Sequence, residues 1–303
     1  MSDVELLIAW GAAAVRVATP LALAAIGETI SERGGVLNLG IEGAMLGGAF
    51  GAAWGALHGG AWWGVTSGLT AGVLIGLVFG LVAVVGKADQ IISGTAITLG
   101  AVGLTGLLSQ SALGISGTGL ALPTLAPVAI PGLARIPILG PVLFTQSVLT
   151  YLTIALAVVA TWLLWRTRFG LELRAAGESP ASATAAGVSV TRVRLAATLI
   201  GGGLAGLAGA SLVLAQVGAF TERMTAGRGF IAVAIVVLGR WHPLGALLVA
   251  LLFGATSALQ FLVQAAGIDI PYQALLAMPY LLALAVLATA VGRAEAPAGL
   301  TKN

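Results

Sequence analysis

The chain contains no cysteine and very little charge. Without cysteine it has no disulfide, no thiolate metal site and no cysteine nucleophile. Its histidines are His58 and His242, and no HExxH run occurs, so the sequence offers no zinc-hydrolase pattern. A phosphate-binding glycine loop is also missing, because Gly86-Lys87-Ala88 lacks both the leading glycine and the following hydroxyl. Charged residues are 8% of the 303 positions and hydrophobic residues 58%. Soluble domains carry about 25% charged residues. A surface this poor in charge faces a bilayer. The net charge of +3 is read as membrane orientation and not as nucleic-acid binding. Asp3 and Glu5 stand where a secretory signal peptide needs positive charge, which argues against one.

The charges that remain are clumped. Positions 43–86, 90–134, 136–165, 195–221, 241–268 and 270–292 hold no Asp, Glu, Lys or Arg. A spanning helix needs about 20 mainly apolar residues, so each window accommodates one helix or two. None of these windows alternates in the manner of a barrel strand. The expected fold is therefore an all-α polytopic membrane protein, residues 1–303 forming one transmembrane domain. Roughly eight to ten transmembrane helices are expected, some of them broken or re-entrant.

Three features punctuate this pattern. Gly43, Gly47, Gly51, Gly55 and Gly59 recur every fourth residue, as do Gly64, Gly68, Gly72, Gly76 and Gly80. Such stripes let helix backbones approach closely where lipid supplies no hydrophobic drive. Residues 109–146 hold Pro123, Pro127, Pro131, Pro137 and Pro141, which predicts a long apolar loop. Residues 166–194 hold Arg166, Arg168, Arg174, Arg192 and Arg194 against Glu172 and Glu178. By the positive-inside rule that polar segment is cytoplasmic and the proline-rich loop is extracytoplasmic. Phe230–Gly239 is apolar but too short to span, which predicts a half-helix or a re-entrant segment.

Ionisable residues at membrane depth mark candidate functional positions. They concentrate between Gly27 and Gly43, where glycine flanks every polar group. Irregular backbone in a membrane is tolerated where it is buried in protein or lines a cavity. Asn38 and Glu42 are the first candidates for a translocation path, and Glu28 and Glu32 follow. A second polar island holds Glu222, Arg223 and Arg228.

The same residues carry a resemblance. Thr19-Pro20-Leu21, then Gly27-Glu28-x-Ile30-Ser31-Glu32-Arg33, then Gly35 to Gly43 resemble the N-terminal signature of nucleoside-type ABC importer permeases. That branch belongs to the set that also handles simple sugars and branched-chain amino acids. Gly177-Glu178-Ser179-Pro180 with Ala185-Ala186-Gly187-Val188 resembles the cytoplasmic coupling segment of the family. Arg228 to Ala234, Leu238 to Trp241 and Pro243-Leu244-Gly245 resemble its C-terminal half-helix region. Ser179 and the alanine-rich stretch Ala181–Ala186 stand where the family commonly has asparagine and bulkier charged residues.

The resemblance implies a type II importer permease in the cytoplasmic membrane, with no catalytic residue and no cofactor of its own. It implies a heterodimer with a second, homologous permease, a cytoplasmic ATPase subunit that binds ATP and Mg²⁺, and an extracytoplasmic substrate-binding lipoprotein. Gly177, Glu178, Ser179, Pro180, Ala186 and Gly187 would then dock on the ATPase. Nucleosides are the implied cargo, with a simple sugar or other small solute as the alternative. An ion-coupled carrier using Glu42 or Glu28 is the competing class.

Overall fold

The computed structural model describes residues 3–112, 121–265, 277, 278, 281, 285 and 296–301. In chain order the helices are α1 (Asp3–Arg33), α2 (Ile41–Gly59), α3 (Ala61–Phe79) and α4 (Gln90–Ala112). A small β-pair, β1 (Pro127–Ala129) and β2 (Thr145–Ser147), brackets α5 (Leu139–Leu143). There follow α6 (Val148–Arg166), α7 (Arg168–Glu178), α8 (Pro180–Ala185), α9 (Val190–Ser211), α10 (Arg228–Leu238) and α11 (Pro243–Ala265). Wide π-turns extend α3 over Gly80–Val85 and α9 over Leu212–Val217.

Among the described residues six helical stretches are long and apolar enough to cross a membrane. They are the stretches built on α1, α3, α4, α6, α9 and α11. Helix α2 is as long as α3, 19 residues, but it carries Glu42, His58 and many glycines and is buried by its neighbours. The span expected in the charge-free window 270–292 lies, apart from residues 277, 278, 281 and 285, outside the described residues.

Helix α9 is the hub, packed against α1, α2 and α3, and it is the most buried of the candidate spans. The glycine stripes explain how. A Cβ on Gly72 or Gly76 of α3 would meet backbone atoms of Gly202 on α9, and one on Gly209 would run into the Met45 carbonyl of α2. Gly51 and Gly55 of α2 approach Ser67 of α3 in the same way. With no side chain in between, dispersion contacts between main chains hold the helices together. The outward faces of α3, α4 and α6 carry exposed Leu74, Leu99, Leu107, Val158 and Trp162, an apolar belt suited to lipid.

Two segments are more ordered than their composition suggests. Within the proline-rich stretch, α4 continues to Ala112, and β1, α5 and β2 follow. The polar stretch 166–194 is mostly helix, and Arg192 and Arg194 belong to the first two turns of α9. Helix α1 runs unbroken through Pro20. Proline cannot donate to the carbonyl four residues earlier, which here is that of Arg16. Gln216 Nε2 supplies the missing donor, 2.6 Å from the Arg16 carbonyl oxygen.

Candidate translocation path and coupling surface

The four acidic and amide candidates sit on the last turns of α1, the α1–α2 connection and the first turn of α2. Glu28 and Glu32, in the first of these, are 0% and 1% exposed. The connection turns at Gly35 with φ +84°, a conformation that favours glycine. Glu28 Oε1 accepts from the Asn38 amide at 2.7 Å, and Asn38 Oδ1 accepts from the Gly40 amide at 2.9 Å. Glu28 and Asn38 thus fold the connection back onto α1. Glu28 Oε2 and Glu32 Oε1 have no hydrogen-bond partner among the described residues.

Glu42 reaches a different element. Its Oε1 accepts from Thr225 Oγ1 at 2.6 Å and the Gly227 amide at 2.8 Å, and its Oε2 accepts from the Gly229 amide at 2.6 Å. Those groups form the N-terminal end of α10. A carboxylate there satisfies orphan amides and complements the positive end of the helix dipole. Helix α10 is 11 residues long, about 16 Å at 1.5 Å per residue. That is half of a hydrocarbon core of about 30 Å. The chain leaves α9 at Gly218, where the amide of Leu122 donates to the Gly218 carbonyl at 2.9 Å. It turns back inward and descends as the expected half-helix.

The lower end of α10 closes in an elbow. Arg240 and Trp241 adopt φ +58° and +51°, at a cost of roughly 1–2 kcal/mol each. The end of α1 holds them there. Trp241 Nε1 donates to Glu32 Oε2 at 2.5 Å, and Arg33 Nε donates to the Trp241 carbonyl at 2.8 Å. His242 stacks on Trp165 at 4.5 Å, with the Arg33 guanidinium over the same Trp165 ring.

A chamber of 590 Å³ lies between α1, the end of α9, the start of α10 and α11, with Trp10, Arg16, Gln216, Arg228 and Ala258 in its wall. A smaller space of 260 Å³ adjoins it at Arg16 and runs under Thr124–Pro127 and Thr145–Ser147. Sequence reasoning singled out Arg228 and missed the others. Arg16 was visible as a cation interrupting an apolar stretch. Gln216 gave no signal, because its partner lies 200 positions away.

The second surface is at the opposite end. Helix α8 is capped twice. Ser179 Oγ accepts from the Ser182 amide, and Pro180 occupies the first turn. Gly187 at φ +86° closes the far end, where the Val188 amide bonds the Ala183 carbonyl and the Gly187 amide bonds the Thr184 carbonyl. Ala183 is buried, while Ala181, Ser182, Thr184, Ala185, Ala186 and Gly187 are exposed. Gly177 is buried against the carbonyl of Arg33. Arg194 Nε donates to the Gly34 carbonyl at 2.9 Å, tying the end of α1 to the start of α9. The amides of Gly299 and Ala298 donate to the Gly177 carbonyl and to Glu178 Oε2, at 2.7 and 3.3 Å. Beside α8 a groove of 450 Å³ is lined by Lys87, Pro180, Thr184 and Arg194. Sequence reasoning therefore named a segment that runs from buried Gly177 to exposed Ala186 and Gly187, and four path residues that the fold places on two neighbouring supports.

Known proteins match this chain in sequence. Residues 12–291 match the family described as branched-chain amino acid transport system, permease component. The guanosine ABC transporter permease protein NupQ of Bacillus subtilis is 36% identical over 290 residues, covering 92% of this chain and 91% of NupQ. The nucleoside ABC transporter permease protein NupC of Lactococcus lactis is 37% identical over 294 residues, covering 92% and 91%. TsgC13 of Haloferax volcanii, a candidate glucose ABC transporter permease protein, is 39% identical over 302 residues, covering 93% and 92%. No solved structure matches the chain. A bundle with lipid-suited faces, a re-entrant half-helix and an exposed capped helix, matched along its length to such permeases, belongs to the branched-chain amino acid transport permease family: it is a multi-pass translocation subunit of an ABC transporter.

Proposed function

We propose that this chain is the permease of an ATP-driven importer that carries nucleosides inward across the cytoplasmic membrane. The observation that carries the reading is the α7–α8 segment. It is a short helix fixed at both ends, built of small residues on its exposed side, and tied through Gly177 and Arg194 to the end of α1. Such a unit suits a groove in another protein, and motion imposed on it passes to α1. Arg33, Lys87, Arg166, Arg168, Arg174, Arg192 and Arg240 cluster at this end, which supports its placement on the cytoplasmic side.

In this reading ATP and Mg²⁺ bind a separate cytoplasmic ATPase subunit, and Gly177, Glu178, Ser179, Pro180, Ala186 and Gly187 form the docking unit. A second, divergent permease completes the pore as a heterodimer, and an extracytoplasmic lipoprotein delivers the solute. Glu28, Glu32, Asn38 and Glu42 act on the path by holding its backbone. Glu42 anchors α10 from above, and Glu32 anchors its elbow from below. The names of the NupQ and NupC relatives support nucleosides as cargo. The TsgC13 relative favours a simple sugar as the second reading.

The test is uptake of labelled guanosine, adenosine, ribose and glucose by cells expressing the chain with its partner subunits. A matched strain carries an ATPase subunit unable to hydrolyse ATP. Nucleoside uptake lost in that strain is the expected result. Sugar uptake alone would keep the mechanism and overturn the cargo. Uptake that persists without hydrolysis and collapses with the ion gradient would establish an ion-coupled carrier instead.

A further inference from the structure

Arg16 is an anomaly in a membrane helix. It is exposed and lies roughly 20 Å from one end of α1 and 26 Å from the other, counting 1.5 Å per residue. An arginine at the centre of a bilayer costs about 2.5–3.5 kcal/mol on insertion scales, and more on an isolated helix. This face of α1 therefore does not look onto lipid. It looks into the chamber of 590 Å³ described above.

The chamber is built from four elements. Trp10 and Arg16 come from α1, Gln216 from the π-turn after α9, Arg228 from the tip of α10 and Ala258 from α11. Three of the polar side chains are held by the fold. Trp10 Nε1 donates to the Ala255 carbonyl at 3.0 Å, and Gln216 Nε2 to that of Arg16. Arg228 Nη1 donates to the carbonyls of Met224 and Thr225 at 2.9 and 3.2 Å. No acidic residue is among the described residues that line the space. Its volume falls within the roughly 300–1,000 Å³ typical of small-molecule sites. The adjoining space at Arg16 continues it toward the proline-rich segment, on the side where a delivery protein would release solute.

We propose that this chamber is the solute site of the permease, and that Arg16 and Arg228 recognise the acceptor edge of a neutral, ring-shaped solute. The proposal rests on the importer reading and names the residues that select the cargo. A guanidinium carries only donors. Its planar fork matches paired acceptors such as the carbonyl oxygen and ring nitrogen of a guanine-type base. The apolar walls offer contact to the ring faces. The two guanidiniums, with no carboxylate among the described wall residues, disfavour cations and amine-rich solutes.

The lack of native cysteine permits a direct test. Ala13→Cys and Ala215→Cys each place one thiol in the chamber wall, and Leu99→Cys places one on the lipid-suited face of α4. The assembled transporter in membrane vesicles is treated with an anionic, water-soluble methanethiosulfonate, and modification of this chain is read by mass. The two wall cysteines are expected to react, Leu99→Cys to remain unmodified, and guanosine to slow the reaction. Arg16→Gln or Arg228→Gln is expected to raise the guanosine concentration for half protection by about tenfold.

Unreactive wall cysteines would overturn the proposal, as would protection that both substitutions leave unchanged. Reaction only when the second permease is absent would show that the space is a subunit interface. Protection by ribose or glucose and by no nucleoside would overturn the cargo and keep the site. Unprotected cysteines in a transporter with measured nucleoside uptake would keep the cargo and overturn the site. Stronger protection by a nucleoside monophosphate would overturn recognition of a neutral solute.

Discussion

At the scale of single residues, the pairing of Pro20 with Gln216 shows how this chain handles a missing donor. Proline leaves the Arg16 carbonyl without its helical partner, and an amide from 200 positions away replaces it. Gln216→Ala is expected to destabilise the protein by about 0.5–1.5 kcal/mol, the net worth of one hydrogen bond whose acceptor water can still reach. In a Pro20→Ala background the helix supplies its own N–H, so the same substitution becomes nearly neutral. Thermal unfolding of the four proteins of this cycle measures the coupling, and equal effects in both backgrounds would refute it. A second prediction concerns His242. Burial, helped by the Arg33 guanidinium, lowers its pKa below the usual imidazole value of 6.5. The unfolded chain then binds a proton that the folded chain does not, so stability falls as pH drops below about 6.5. His242→Gln is expected to flatten that acid limb between pH values of about 7.5 and 5.5, read as melting temperature of the purified assembly. The candidates were partly legible at this scale. Glycine around Asn38 marked the irregular α1–α2 connection, whereas Glu28, Glu32 and Glu42 lie in regular helix on either side of it. Which atoms they bind was not legible, because Glu42 meets a loop more than 180 positions away.

At the scale of elements, the glycine periodicity carried the most information. A four-residue stripe states which helix face must approach another backbone, and α3 and α9 meet along such faces. Gly209 makes the sharpest case, facing the Met45 carbonyl with no room for a methyl group. Gly209→Ala is expected to cost about 1–3 kcal/mol through overpacking. Gly103→Ala on α4, where a Cβ would meet nothing, is expected to be neutral or slightly stabilising. Melting temperatures of the two variants separate packing from propensity. The half-helix α10 was legible from length alone. The segment 166–194 was less so. Its arginines marked a cytoplasmic polar segment, but nothing in their pattern showed that Arg194 is buried and bonds the Gly34 carbonyl. A long basic side chain can enter the fold this way when main-chain carbonyls at a helix end need donors.

At the scale of the whole molecule, charge and hydropathy sorted the ends of the bundle, and the tail completes one of them. Gly299 and Thr301 donate to the carbonyls of Gly177 and Gly35, so the tail clasps the docking segment to the α1–α2 turn. Ending the chain after residue 295 is expected to lower the solute moved per ATP hydrolysed while leaving hydrolysis itself. Paired uptake and phosphate-release assays on the assembled transporter measure the ratio, and an unchanged ratio would show the clasp to be dispensable. No local pattern in the tail announced this contact, since its partners lie far away in sequence. The buried anchor of α10 also bears on how the protein is made. Eleven residues cannot cross the bilayer as an independent segment. The half-helix therefore has no stable place until its receptor is already in the membrane. Glu42 is synthesised well before Gly229, so the carboxylate is waiting when the half-helix emerges from the ribosome. Separate expression of an N-terminal piece ending after α9 would accordingly yield an inserted bundle with an open slot, and the order of segments along the chain becomes part of how the path is assembled.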